Sequence, residues 1–533
     1  MSAATRLRRS GAEDISLGGV GLGLMITGHA AGARAVALVG LLSCTMPFAL
    51  APGPPPGRPP AALGAESGPV LTGGGTVLAE PGGVAAGLLS AVEPVAGALD
   101  EAARLPGSAE IQELAQATVG AERLTAASGT GATAGREIIP SELVGALGVS
   151  VRDMLTGEEL YAADATRGLV PASTTKILTA SAALATLGPE AVLTTRAVLS
   201  LDGPGRGTVT LVAGGDTSLG PDAGNPAAVM GRAGMGDLAR AAAVEVRRAG
   251  LTTVAVALDD SLFTGAATYP DWEWNLGTTW GAPATPLAIM DGRAGEAFDA
   301  VTYVADPALR AAEHFAALLG VAAADTELAL PAVAVDSGVT RAGAPAQARE
   351  IARVDSAPLR QLAAYLLQQS DNTLAEAVGR VTATARGLDG SFAGCAQGID
   401  EALEELGVPA AGLHLDDCSG LSHGSRIPVS TLTAVLALAG STEVASLGAV
   451  ARCLPVGALQ GTVAERFTTA PGAGNVRAKT GTLTGVTALA GLVQTAGGRE
   501  LVFAVIVNPD PMVGTLGARQ ATDRFIQGLA ALA

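Results

Sequence analysis

From Leu169-Val170-Pro171-Ala172-Ser173-Thr174-Thr175-Lys176 the chain runs into Ile177-Leu178-Thr179-Ala180-Ser181-Ala182-Ala183-Leu184-Ala185-Thr186-Leu187 and stops at Gly188-Pro189. Ile177, Ala180, Leu184 and Leu187 recur at three-and-four spacing, which predicts a helix with one apolar face, and Pro171 sits where helices commonly begin. That helix places the Ser173 hydroxyl and the Lys176 amine one turn apart on the same face, close enough to share a hydrogen bond. A serine becomes a nucleophile only if a base takes its proton, and a neutral amine at this spacing can do so, with the helix N-terminus favouring the developing anion. An ordinary surface serine and lysine would give the same four letters, so S-x-x-K alone decides nothing.

Upstream, Leu147-Gly148-Val149-Ser150-Val151-Arg152 alternates, passes Thr156-Gly157 and resumes at Glu159-Leu160-Tyr161, which predicts two strands around a tight turn. Downstream, residues 195–344 mix a strand at Thr208 to Val212, the turn Gly214-Gly215-Asp216, a helix around Leu238 to Val246 and a strand at Thr253 to Leu258. They read as inserted, mostly β material. Helices return at Leu359 to Gln368 and, after a break at Ser370, at Thr373 to Gly379. The chain closes with strands Gly485 to Val493 and Leu501 to Val507 about Gly497-Gly498, then a helix at Ala518 to Leu532. Segments 141–194 and 345–533 therefore share one α/β (α+β) domain, an antiparallel sheet covered by helices, interrupted by the insertion.

The 533 residues carry a formal net charge of -17, which repels nucleic acid and anionic lipid surfaces and sets both aside as partners. A mean hydropathy of +0.39 comes largely from Ala and Gly, with only 3% aromatics, and so fits a small-residue-rich globular enzyme. Residues 1–51 hold Arg6, Arg8, Arg9 and Arg34, the apolar run Ala35 to Ala51 and an A-x-A pattern at Ala49-Leu50-Ala51, expected of an export signal or membrane anchor, with Met25 an alternative start. Residues 52–140 read as a Pro-, Gly- and Ala-rich linker with some helix near Glu110 to Ala126. Past the signal, Cys395, Cys418 and Cys453 are compatible with one bridge outside the cytoplasm, Cys395 to Cys418 being the preferred pair. With no C-x-x-C and four scattered histidines, neither metal nor cofactor is expected.

Two further motifs join the first. Ser370-Asp371-Asn372 falls in the break between two helices, where it is either a helix cap or a loop presenting Ser370 and Asn372 to a cleft. Lys479-Thr480-Gly481-Thr482 leads into a strand; it is either a solvated turn or an edge that pairs with an extended peptide, with Gly481 letting the substrate approach. Of the 33 Lys and Arg residues only Lys176 and Lys479 are lysine, and both fall in motifs. Arginine cannot serve there, because a guanidinium does not become a neutral base. Two ammonium groups about 4 Å apart at a dielectric near 20 repel by about 4 kcal/mol, so Lys479 is expected to help keep Lys176 neutral.

In this order the three motifs resemble the D-alanyl-D-alanine carboxypeptidase and endopeptidase family, the low-molecular-mass class C penicillin-binding proteins. Leu169 to Ser173, Gly214-Gly215-Asp216, Asp259-Asp260-Ser261-Leu262-Phe263 and Ser419-Gly420-Leu421-Ser422 look like family segments, and the large insertion fits. The resemblance implies a penicillin-binding, β-lactamase-like transpeptidase domain acting on peptidoglycan stem peptides ending in D-Ala-D-Ala, exported to the cell wall and inhibited by β-lactams. It implies Ser173 as nucleophile, Lys176 as base, Ser370 and Lys479 as relay to the leaving D-alanine, and an oxyanion hole from the N–H groups of Ser173 and Thr482. Thr480 and Thr482 would hold the terminal carboxylate, with Gly481 giving the substrate room beside them, and Asn372 the substrate amide. Trp272, Asn275, Trp280, Leu421 and His423 fall where relatives grip the stem-peptide side chain, although Asn275 and His423 depart from the acid and arginine used for diaminopimelate. Two alternatives compete. A β-lactamase of class A needs an E-x-x-x-N loop, and none lies between Asn372 and Lys479; a non-catalytic peptidoglycan-binding scaffold has no need of a lysine base.

Overall fold

The computed structural model describes residues 102–120, 145–272, 280–295, 302–325, 330–441, 443–509 and 514–533. The segment expected to be an export signal or membrane anchor, the alternative start and Asn275 lie outside them. In chain order the helices that matter are α1 (Ser108–Thr118), α2 (Thr175–Leu187), α3 (Met235–Arg248), α4 (Pro307–Ala324), α5 (Leu359–Gln369), α6 (Asn372–Ala385), α7 (Phe392–Glu405), α8 (Val429–Gly440) and α9 (Gly514–Ala531).

The closing run Val486–Gln494 is apolar at nearly every position because its strand is buried on both faces. It is β11 of an antiparallel sheet ordered β10-β11-β12-β1-β2, whose other members are β10 (Val476–Leu483), β12 (Glu500–Asn508), β1 (Ala146–Asp153) and β2 (Glu159–Ala163). Strand alternation sorts the side chains. Ala488, Ala490, Leu492, Val502, Ala504 and Ile506 pack into one core with Ile177, Leu184, Leu362, Leu366 and Leu432 of α2, α5 and α8. Leu489, Val493, Phe503 and Val505 face the opposite core, with Ile111 and Ala115 of α1 and Phe525 and Leu529 of α9. The helix expected within a linker near Glu110 to Ala126 is α1, Ser108–Thr118, and it covers the back of this sheet; residues 121–126 lie outside the described residues.

The insertion is a second five-stranded sheet ordered β8-β6-β4-β3-β9, with β3 (Thr194–Gly203), β4 (Arg206–Val212), β6 (Thr253–Asp259), β8 (Ala334–Arg341) and β9 (Arg349–Asp355). The sheet runs from Thr194 to Asp355, past the 344 boundary expected from sequence. Two Ala-rich helices, α3 and α4, bury Leu238, Ala242, Phe315 and Leu319 against one of its faces, so the insertion is more helical than its strand signals suggested. A short parallel pair, β5 (Asp216–Leu219) and β7 (Leu287–Ile289), completes it beside α6.

Candidate active site

Ser173 does not open the α-helix itself. It lies in a 3-10 turn, Ala172–Thr174, immediately before α2, and Ala172 adopts a left-handed φ of 47°. An alanine in that conformation is strained, and it persists because surrounding structure over-determines it. Two glycines do so. A Cβ on Gly420, whose φ is 80°, would lie 2.0 Å from the Ala172 carbonyl oxygen, and one on Gly481 would lie 2.6 Å from that of Pro171. Gly481 is therefore required by close contact between β10 and the nucleophile turn, a different reason from the substrate approach expected from sequence.

Lys176 Nζ stands 3.0 Å from Ser173 Oγ, 2.5 Å from Asn372 Oδ1 and 2.7 Å from the Ser419 carbonyl oxygen. Its side chain is wholly buried, and burial pulls the ammonium down to about 8 against the pull of Asp417, Asp371 and Glu376, which favour the charged form. The expected repulsion between the lysines falls on the other partner: burial and then the charge of Lys176 push Lys479 well below its ordinary range. Lys479 Nζ donates to Ser370 Oγ at 2.9 Å and to the Thr480 carbonyl at 2.8 Å.

The break between α5 and α6 serves both readings of Ser370-Asp371-Asn372. Ser370 turns the chain at φ 59°, and Asp371 caps α6 by accepting from the Leu374 N–H at 3.0 Å. That leaves Ser370 and Asn372 on the cleft side, where Asn372 also donates to the Trp280 carbonyl at 2.5 Å. β10 forms the sheet edge of the cleft. The Ala478 N–H leaves the sheet for the Pro455 carbonyl, and by alternation the N–H groups of Thr480 and Thr482 leave on the same side. Ser173, Ser370 and Thr480 are partly accessible and Thr482 is exposed, so a cleft-bound ligand can reach them.

The remaining candidates divide. Trp272 is buried as a pillar, its indole N–H donating to Asp417 at 2.8 Å and its ring edge-on to Phe392, with Leu421 packed in the same cluster. Trp280 is 54% exposed. His423 is mostly buried and held in its loop: its N–H donates to Asp271 at 2.8 Å and its Nε2 lies 3.2 Å from the Thr484 carbonyl oxygen, while burial lowers its pKa. Among the described residues no group of three His, Cys, Asp or Glu side chains is placed to hold a metal ion.

Sequence reasoning missed the wall behind Lys176. Asp417, wholly buried, accepts from the Gly420 and Ser422 N–H groups at 2.7 Å each; the Thr179 hydroxyl donates to the Cys418 carbonyl at 2.6 Å; and Glu376 accepts from the Cys418 and Ser419 N–H groups. The Cys395–Cys418 disulfide, the pair expected from sequence, ties the same loop to α7, and Gly379 leaves room for both sulfurs. Glu376 stands one turn after Asn372 on α6, a spacing that would have pointed to it.

Comparison with known proteins bears on the same residues. Residues 139–304 and 294–529 match the D-Ala-D-Ala carboxypeptidase 3 (S13) family. A carboxypeptidase of Mycobacterium tuberculosis is 36% identical over 388 residues, covering 72% of this chain and 80% of the relative. The D-alanyl-D-alanine carboxypeptidase of Actinomadura sp. is 32% identical over 440 residues, covering 68% and 77%. The fold is similar to that of penicillin binding protein 4 from Haemophilus influenzae, with a TM-score of 0.59, 20% identity and coverage of 72% of this chain and 95% of that one. Since the similarity spans both halves of the serine and lysine cleft and most of each relative, the chain belongs to the D-Ala-D-Ala carboxypeptidase 3 (S13) family of hydrolases.

Proposed function

We propose that this protein is an exported serine D,D-peptidase that cleaves the terminal D-Ala-D-Ala bond of peptidoglycan stem peptides through an acyl-enzyme on Ser173, and that β-lactams trap the same serine. The observation that carries the reading is the 3.0 Å contact between a wholly buried lysine amine and the hydroxyl of a partly accessible serine. Neutral Lys176 takes the Ser173 proton as Oγ attacks the carbonyl carbon. The N–H groups of Ser173 and Thr482 receive the oxyanion, each such donor contributing about 3 kcal/mol or more. The C–N bond then breaks, and the departing amine takes a proton through Ser370 and Lys479. Water attacks the ester, gives a proton back to the enzyme, and frees Ser173. Thr480 and Thr482 hold the substrate's terminal carboxylate and Asn372 its amide. A second Haemophilus influenzae penicillin binding protein 4 structure, complexed with a β-lactam and alike in fold at a TM-score of 0.54, supports the inhibitor reading.

Fluorescent penicillin is the direct test. The expected result is a stable adduct on the wild-type protein and none on Ser173→Ala, with release of D-alanine from monomeric muropeptides or scission of cross-linked ones. A wild-type protein that neither labels nor cleaves would sink the proposal, and rapid turnover of penicillin would point to a β-lactamase instead.

A further inference from the structure

The carboxyl of Glu376 lies almost wholly buried behind the catalytic lysine. Its Oε1 accepts two backbone hydrogen bonds, from the Cys418 N–H at 3.0 Å and the Ser419 N–H at 2.8 Å. The next carbonyl along, that of Ser419, receives the Lys176 ammonium or amine at 2.7 Å. We propose that Glu376 is a positioning residue for Lys176, fixing the Cys418–Ser419 peptide so that the Ser419 carbonyl, one peptide further along, holds Nζ against Ser173 Oγ. The inference rests on the peptidase reading above and assigns a residue outside the three motifs to the proton-transfer step.

Three observations separate this role from plain packing. The Cys418–Ser419 segment is gripped from several elements at once: by Thr179, three residues beyond Lys176 on α2; by Glu376 on α6; and by the disulfide from α7. These grips fix the Cys418–Ser419 peptide, and Asp417 holds the Gly420 N–H of the next peptide, the one whose oxygen meets the base. Next, Asn372 and Glu376 sit one turn apart on α6, so one helix face sets two of the three Lys176 contacts, directly through Asn372 Oδ1 and indirectly through Ser419. Finally, Glu376 Oε2 is buried with no hydrogen-bond partner, a costly arrangement. A glutamine would make the same two bonds without burying an acid, so packing alone gives no reason for a carboxyl. Ionisation does: burial and then Asp417 raise the Glu376 carboxyl to about 8 against the pull of Arg380 one turn along α6, so it ionises over the same range as Lys176, and its anion, with Asp417 and Asp371, favours the protonated lysine.

Two substitutions of similar volume separate the contributions. Glu376→Met removes the acceptor, frees the Cys418–Ser419 peptide and should slow acylation by fluorescent penicillin on the order of 100-fold, the scale of an ångström-sized misplacement. Glu376→Gln keeps the acceptor and removes the charge. Its maximal rate should stay within about tenfold of wild type, as expected if a second-layer hydrogen bond is retained. The acid limb of its pH–rate profile should move to lower pH, because Lys176 loses an anion that favours its charged form. A merely structural glutamate would not move that limb. An acylation rate for folded Glu376→Met within threefold of wild type, or a Glu376→Gln limb superimposed on the wild-type one, overturns the inference. If Glu376→Met does not fold, the Glu376→Gln profile decides alone. Labelling of the wild-type protein in the same assay is the separate check on the peptidase reading, so the two can fail independently.

Discussion

Ser173 and Lys176 are three residues apart in the chain, but the state of the pair is set by residues hundreds of positions away. The amine is buried among three hydrogen-bonding oxygens, and its loss of water outweighs the nearby carboxylates, which brings its titration to about 8. With the neutral amine as the proposed base, the acylation rate should climb as pH passes through about 8 and level off above it, read from penicillin labelling across a pH series. A rate that falls through that range would mean that the ammonium, and not the amine, is the working form. Lys176→Arg should lower the rate by the 10²- to 10⁴-fold typical of a lost general base, since guanidinium stays charged; near-normal labelling would remove Lys176 from the mechanism.

At the scale of the elements, the strands and helices follow from period and punctuation, and the contacts between them do not. The two-sided apolar runs of β11 and β12, the turn at Gly498 and the stop of α2 at Gly188 were all legible, because each depends on neighbours in the chain. Gly481 shows the limit. The structure adds a need for a missing side chain that comes from the Pro171 carbonyl, some three hundred residues earlier, a neighbour that the letters K-T-G do not name. Gly481→Ala should accordingly displace the Ser173 turn and slow acylation by about 100-fold; an unchanged rate would show that the turn can yield without cost. Asp153 and Arg499 were equally invisible from sequence. They form a bidentate pair at 2.6 Å, nearly fully buried, that locks the end of β1 to the hairpin before β12. Removing one partner strands a buried charge, so Arg499→Met should cost about 3–5 kcal/mol in denaturant unfolding. A loss below 1 kcal/mol would reclassify the pair as incidental.

The whole molecule joins the insertion to the catalytic domain through the second motif. Arg293, next to the β7 strand of the insertion, pairs with Asp371 at 3.3 Å, with both side chains largely buried; Trp280, also of the insertion, accepts from Asn372; and wholly buried Arg380 donates to the Ala266 carbonyl at 3.0 Å while stacking 4.1 Å over Phe392. Ser370 has Asp371 and Asn372 as its next two residues, so the insertion grips the loop that presents it to Lys479. The insertion should then influence chemistry as well as shape. Arg293→Met leaves Asp371 buried beside Asp291, whose carboxyl burial and the Asp371 charge already push well above its ordinary range. Without its cation the Asp371 carboxylate is left buried and uncompensated, and the loop between α5 and α6 should relax away from the cleft. Both the melting temperature and the acylation rate should fall. Adding Asp371→Asn removes the stranded charge, keeps an acceptor for the Leu374 N–H, and should restore part of both losses, because the two positions are in contact and their effects are not additive. If the double variant is no better than Arg293→Met, or if Arg293→Met labels and melts like wild type, the insertion is an appendage and the Ser370 loop is held by its own domain alone.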